Sequence, residues 1–397
     1  MVTVEEAKSI LMNSIPAPGI ARQSVISSLG FVLAEDVISK YAIPLFSQSA
    51  VDGFAICMDL KDEPLLTFPV IGELKAGDPP IKRMKPNSAI RIFTGAPVPA
   101  DTFCVVMQER TILRDGIVTI EEGFIKAGSN IRVKGNQLKK GDCGLQKGIV
   151  VSPAAIGFLC GIGCTEIKVF RKPKIGILTT GNELVTAGKK LKPGQIYESN
   201  QATLSAALMQ SGYSVELKLK AKDKKELVKD AVKKILSACD VLIISGGISV
   251  GKYDFVKDVL TGLSVKELFY KVSQKPGKPL FVGKKGKQLI FAVPGNPAAA
   301  LVCFYQYVLP ALNKLSGFPD QKSSTQKLKS ELMYSGKGDR SLFLKAIATQ
   351  EKVRILDGQD SDNLQSFAKA NALVYLPKDQ LTISEGEIVD VFLFPEI

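Results

Sequence analysis

Ser245-Gly246-Gly247-Ile248-Ser249-Val250-Gly251, with Asp254 just beyond, is the stretch of this chain whose residue types most clearly specify chemistry. Its glycines and hydroxyls stand where the short apolar run Val241 to Ile244 ends. Glycines let backbone N–H groups approach an anion closely, and a carboxylate beyond the turn either holds Mg²⁺ or caps a helix. Two lysines follow, Lys275 and Lys278, in Lys-Pro-Gly-Lys-Pro, which fixes two cations on a stiff turn suited to an oxyanion. Pro294-Gly295-Asn296-Pro297 is a further tight turn, equally readable as a plain cap on the helix after it. In Thr179-Thr180-Gly181-Asn182-Glu183-Leu184, Glu183 can bind a metal or a ribose hydroxyl; equally, it is the acid that a helix N-terminus favours. Together these pieces make a site for a phosphorylated ligand and a metal. The GxxxxGK[ST] phosphate loop is absent, so the glycine turn is not a Walker A motif.

Bulk composition narrows the chemistry further. The chain has no histidine, which excludes Ser-His-Asp and Cys-His catalysis and imidazole proton transfer. Carboxylates, lysines, backbone dipoles and a metal remain. The cysteines at 57, 104, 143, 160, 164, 239 and 303 are scattered, and only Cys160 and Cys164 are close. Without histidine or further soft ligands beside that pair, they read as buried thiols in a reducing compartment. The formal net charge of +13 comes from lysines spread along the whole chain, with no nucleic-acid-binding signature beside them. A solvated surface that steers anionic small ligands is the better account, with no nucleic-acid partner. No run approaches the ~20 apolar residues that span a bilayer, and the opening Met1 to Ile15 lacks a basic region followed by an apolar one. No membrane partner and a cytoplasmic location are expected.

With 397 residues the chain exceeds one ordinary core, and its rhythm changes along its length. Thr3 and Glu6 form a capping box for a helix to Ile15, and a second helix is expected over Ile20 to Leu29. Residues 46–140 alternate short apolar runs with glycine and proline turns and read as a β-rich module. Residues 1–45 together with 141–172, including a helix from about Pro153, form an elongated N-terminal linker domain. From 173 to 317 strands alternate with helices, ending in one long helix from Pro297 to Leu315, which predicts a three-layer, mostly parallel α/β domain. Ligands bind beyond the carboxyl ends of such strands, where every unusual loop named above falls. Residues 318–397 return to β character as a small separate domain.

In order along the chain, GFVLAEDV (30–37), SAVDGFA (49–55), FTGAPVP (93–99), NIRVKG (130–135), ILTTGNEL (177–184), SGGISVGKYDF (245–255), KPGKP (275–279) and PGNP (294–297) resemble the molybdopterin molybdenumtransferase family, which comprises the MoeA proteins and the E domain of gephyrin-like proteins. The resemblance implies an enzyme of molybdenum cofactor biosynthesis that inserts molybdenum from molybdate into adenylylated molybdopterin, with Mg²⁺ and with release of AMP. It implies the family's molybdopterin-binding type of α/β domain. It also implies a homodimer in which the β-rich module of one protomer completes the site of the other. Carried over by position, Asp52 and Thr94 would come from that module. Glu183, Asp240 and Asp254 would serve the metal, the pterin nucleotide and hydrolysis, with Glu183 and Asp254 on the metal. Lys275 and Lys278 would hold molybdate or phosphate, and Arg340 and Ser361 would add molybdate contacts. Ser245, Gly246, Gly247, Ser249, Pro294 and Pro297 complete the substrate-binding set.

The chain departs from the family pattern in the β-rich module. Ser47 replaces an aspartate, Phe54 a tyrosine, Asp101-Thr102-Phe103 a Gly-Ala-Asp, and Asn136-Gln137 a Glu-Asp. A non-catalytic scaffold of gephyrin type is disfavoured by the retained acids and lysines. An adenylyltransferase acting one step earlier would need only the α/β domain, and this chain has the flanking modules as well.

Overall fold

The computed structural model describes residues 1–59, 65–248, 255–319 and 325–395. Its central α/β unit is a six-stranded sheet ordered Val215–Ala221, Ile175–Thr180, Val241–Ser245, Gln288–Val293, Phe281–Lys285, Lys266–Tyr270. The first four strands run parallel, Phe281–Lys285 runs antiparallel to them, and Lys266–Tyr270 pairs antiparallel with Phe281–Lys285, so the sheet is mixed at one edge. The strand periodicity of two divides the apolar side chains between two helical layers. Ile177, Val241, Ile243 and Phe291 face one core together with the helices Asn200–Gln210 and Pro297–Cys303. Leu178, Leu242, Ile244 and Ile290 face the other, under Lys225–Leu236 and Phe255–Gly262.

Two helices depart from the sequence reading. The segment expected as one long helix from Pro297 to Leu315 is broken into Pro297–Cys303, a π-helical turn Phe304–Val308, and Leu309–Leu315. Pro310 has no N–H to give and its ring crowds the preceding turn, which accounts for the widened turn just before it. The helix expected over Ile20 to Leu29 is instead a strand, Ile20–Ser24, and a 3₁₀ turn, Val25–Ser27. Pairing of Ile20–Ser24 with Glu166–Phe170 outweighs the weak helical spacing there.

The first helix, Val4–Ser14, carries the capping box, with Thr3 N donating to Glu6 Oε2 (2.8 Å) and Glu6 N to Thr3 Oγ1 (3.1 Å). Its buried face, Val4, Ala7 and Leu11, joins the α/β core rather than the linker segment with which the sequence reading grouped it. Val25, Leu33, Val151, Leu159 and Val169 form a separate small core that joins the start of the chain to residues 141–172. The β-rich module is a six-stranded sheet with Gly53–Cys57 second from one edge, between Cys104–Met107 and Ser88–Ile92. Beyond residue 324, the strands Ser341–Ala348, Lys352–Ile355, Thr325–Ser330, Ile388–Leu393 and Ala372–Leu376 pair in that order. Ala372–Leu376 also pairs with Ser341–Ala348, which closes a barrel around Leu344, Ala346, Val353, Val374 and Val391. A short strand of the α/β unit, Gln274–Lys275, adds in parallel to Ser341 and Leu342 at the barrel wall.

Candidate active site

Three neighbouring parallel strands of the α/β unit end on the same side, and their turns open onto a cleft of about 1130 Å³. Glu183 follows the first strand, the Ser245-Gly246-Gly247 turn the second, and Pro294 to Pro297 the third; all line the cleft. Asn200, at the start of its helix, ties the second turn to the third, its Nδ2 donating to Ser245 Oγ (2.7 Å) and to the Gly295 carbonyl (2.6 Å). Ser245 Oγ then donates to the Pro294 carbonyl (3.3 Å). Among the described residues, the buried hydroxyls of Thr179 and Thr180 have no hydrogen-bond partner, at the end of the first of these strands, beside this turn. Asn182 and Asp223 exchange side-chain-to-backbone hydrogen bonds (3.1 and 3.2 Å) that brace the loop carrying Glu183.

The lysines enter from a different construction. Gln274 is fully buried; its Nε2 donates to the Pro276 carbonyl (3.0 Å) and its Oε1 accepts from the Tyr307 hydroxyl. Burial holds the Tyr307 phenol well above its ordinary pKa, so it remains a donor. The Lys-Pro-Gly-Lys turn is therefore clamped from below, while Lys275 and Lys278 stay exposed at the cleft wall. Pairing of Gln274–Lys275 with the barrel strand brings in Arg340, whose Nη1 donates to the Gln274 carbonyl (3.4 Å). The barrel also supplies the loop with Asp360, Ser361 and Asp362. Ser361 Oγ accepts from Asn296 Nδ2 (2.7 Å) and its carbonyl from Ala299 N (3.1 Å), which ties that loop to the helix opening at Pro297. One cleft thus gathers Glu183, Ser245, Gly246, Gly247, Lys275, Lys278, Pro294, Pro297, Arg340 and Ser361 from two domains.

Other nominated residues lie elsewhere. Ser249 and Asp254 are outside the described residues. Asp240 precedes the strand Val241–Ser245, at the opposite end from the cleft. It takes a bidentate hydrogen bond from Arg171 (2.7 and 3.0 Å) and one from Lys174 N (2.7 Å). The Arg171 guanidinium and then that backbone N–H hold its carboxyl below the ordinary value. Its carboxylate is committed to the joint between the linker domain and the sheet, and the substrate role assigned to it from position is withdrawn.

Asp52 and Thr94 belong to the β-rich module and do not line this cleft. They form one unit, with Thr94 N and Oγ1 each donating to Asp52 Oδ1 at 2.7 Å. The backbone and hydroxyl donors of Thr94 lower the Asp52 pKa and keep this exposed carboxyl ionised. Glycine is required at the next position: a Cβ on Gly53 would lie 1.9 Å from the Val106 carbonyl oxygen, so the strand hugs its neighbour and fixes where Asp52 emerges. The departures from the family pattern have structural uses here. Ser47 Oγ accepts from Lys134 N (3.2 Å), and Phe54 is a core residue at 4% exposure. Phe103 N donates to the Ile56 carbonyl (2.7 Å), and Asn136 is exposed in the turn after Val133.

Asn200, Asp223, Asp360 and Asp362 were missed in the sequence. Asn200 read only as a helix start, and the acids of 360–362 sit in a polar stretch without a distinguishing motif. Among the described residues no group of three or more acid, cysteine or histidine side chains converges as a metal cage, and no helix is long and apolar enough to cross a membrane.

Comparison with known proteins places these domains in a known set. Residues 2–163 match the model of the MoeA N-terminal region (domains I and II), 176–314 that of a probable molybdopterin binding domain, and 328–394 that of the MoeA C-terminal region (domain IV). The molybdopterin molybdenumtransferase of Haemophilus influenzae is 35% identical, with 98% of each chain covered. That of Staphylococcus epidermidis is 34% identical, covering 99% of this chain and 95% of its own. A crystal structure of the molybdopterin biosynthesis MoeA protein of Pyrococcus horikoshii superposes over the whole of both chains with a TM-score of 0.83 at 29% identity.

Proposed function

We propose that this chain, which belongs to the molybdopterin molybdenumtransferase family, inserts molybdenum from molybdate into adenylylated molybdopterin and releases AMP. The observation that carries this reading is the meeting of Lys275, Lys278, Arg340 and Ser361 with the Gly246-Gly247 turn in one cleft. Molybdate is a tetrahedral dianion, matched by cationic and hydroxyl donors. The glycine turn at a strand's carboxyl end offers backbone N–H groups to a phosphate. Lysines on a clamped turn can hold the oxyanion beside the pterin without reorganising as charge develops.

The cleft's donors suit Mg²⁺: carboxylate and hydroxyl oxygens, with no thiol or imidazole among its lining. Mg²⁺ keeps most of its waters and takes one or two carboxylates plus phosphate oxygens, so a full protein cage is not required. Glu183 would hold it, with Asp254 from outside the described residues; bound, it would neutralise charge on the adenylate phosphate. A homodimer is supported by the position of Asp52 and Thr94, an ionised and ordered pair away from their own chain's cleft. The test is AMP release by purified protein from adenylylated molybdopterin, expected only with molybdate and Mg²⁺ both present and abolished by EDTA. Lys275→Ala should stop insertion without changing the mass in solution; AMP release that ignores molybdate refutes the reading.

A further inference from the structure

Lys345 is a buried cation with no place in the chemistry above. It lies in the barrel strand Ser341–Ala348 at 2% exposure. Its neighbours Leu344 and Ala346 point into the barrel core, while Phe343, two residues before it on its own face, packs into the α/β core. Its Nζ donates to three carbonyls of one loop, those of Gly358 (2.6 Å), Asp360 (3.0 Å) and Asn363 (3.3 Å). The ammonium has three donors, and all are used. Gln359 completes the grip: Lys345 N donates to its Oε1 (2.9 Å), and its Nε2 donates to the carbonyls of Lys345 (2.9 Å) and Leu356 (2.6 Å).

An apolar side chain would fill this place without the desolvation cost of a buried ammonium. What it could not do is gather three carbonyl oxygens, which otherwise repel one another. The loop so gathered carries Ser361, and the same strand adjoins two of the other oxyanion contacts. Arg340 immediately precedes the strand, and Leu342 within it pairs with Lys275. We infer that Lys345 is a positioning residue, which fixes the Ser361 loop against the lysine turn and so sets the oxyanion end of the cleft. The inference rests on the reading of that end as the molybdate site.

The test compares the full-length protein with Lys345→Met, Ser361→Ala and the double variant, measuring molybdate-dependent AMP release and amide hydrogen exchange. Loss of a charge-assisted anchor should raise KM for molybdate by about tenfold or more in Lys345→Met, with kcat at saturation kept within about twofold. Exchange over 357–363 should rise about tenfold while the barrel strands stay protected. Because Lys345 acts through the loop, the double variant should be no worse than its worse parent, within about twofold. Lys345→Gln, which keeps two donors, should give a smaller KM rise, and it carries the same comparison if Lys345→Met does not fold. Unchanged KM, unchanged loop exchange or multiplicative effects in the double variant would overturn this inference alone. Wild-type AMP release that ignores molybdate would overturn the molybdate reading and this inference with it.

Discussion

Gly246→Ala tests whether the turn after Val241–Ser245 must lie where it does. Gly246 has φ +93°, a region that costs an L-residue about 1–2 kcal/mol. A Cβ there would stand 2.6 Å from the Thr180 carbonyl oxygen, about 0.8 Å inside the 3.4 Å at which ordinary contact begins. Thr180 ends the strand Ile175–Thr180, which is paired on both sides and cannot retreat. The turn must move, and a misplacement near 1 Å costs on the order of 100-fold in rate. We therefore expect kcat/KM for molybdate-dependent AMP release to fall by roughly 30- to 100-fold, close to 2.7 kcal/mol at the upper end. Folding stability should fall by about 1–3 kcal/mol. Gly295→Ala is the internal control: on the facing turn, its Cβ would meet, among the described residues, only the Gly246 Cα, at 3.6 Å, and its φ is not positive. That variant should keep its rate within about threefold. AMP quantified by chromatography, with thermal melts in parallel, gives both readouts. A Gly246→Ala protein with wild-type rate and melting, or a Gly295→Ala protein equally damaged, refutes the steric argument.

Four further expectations follow from the side-chain network. Arg171→Ala should destabilise by about 1 kcal/mol at neutral pH, because the Arg171–Asp240 pair is half-exposed. Since the Asp240 pKa is lowered on folding, the pair's contribution is present above the unfolded carboxylate value near 4 and is lost as pH falls through the folded one. The melting difference between wild type and Arg171→Ala should shrink accordingly; a difference that grows on acidification contradicts it. Asp240→Asn should keep turnover within about twofold, since the group is remote from the cleft; a tenfold loss would restore the substrate role. Thr94→Val removes the hydroxyl donor, so the Asp52 carboxyl should titrate nearer its ordinary value by NMR; an unmoved titration would deny the coupling. Lys8 is brought down from 10.5 to about 8 by burial, so the unfolded chain binds more protons between those values and stability should rise with pH across that window. A Lys8→Met protein should lack that rise, and equal slopes in thermal midpoint against pH would show that Lys8 is not the group responsible.

The sequence made the local half of this site legible and hid the half that depends on contact between distant segments. Lys275 and Lys278 could be nominated because prolines and a glycine between lysines are a local signal, and the three strand-end turns because alternating strands and helices imply where loops gather. Lys345 carries no such mark: it is one lysine among many until its strand pairs with Gln274–Lys275 and its ammonium meets the 357–363 loop. Asp240 failed in the opposite direction. It stands five residues before the glycine turn, and at about 3.3 Å per residue in a strand that puts it some 16 Å from the cleft. The period and rise of a strand could have excluded it before any coordinates, and only likeness of position argued for it. The same arithmetic supports Ser245, which sits at the carboxyl end of that very strand. Position along a strand thus separates a residue that can touch ligand from one that can only brace the sheet, and Arg171 supplies the bracing partner that explains why an acid stands at 240.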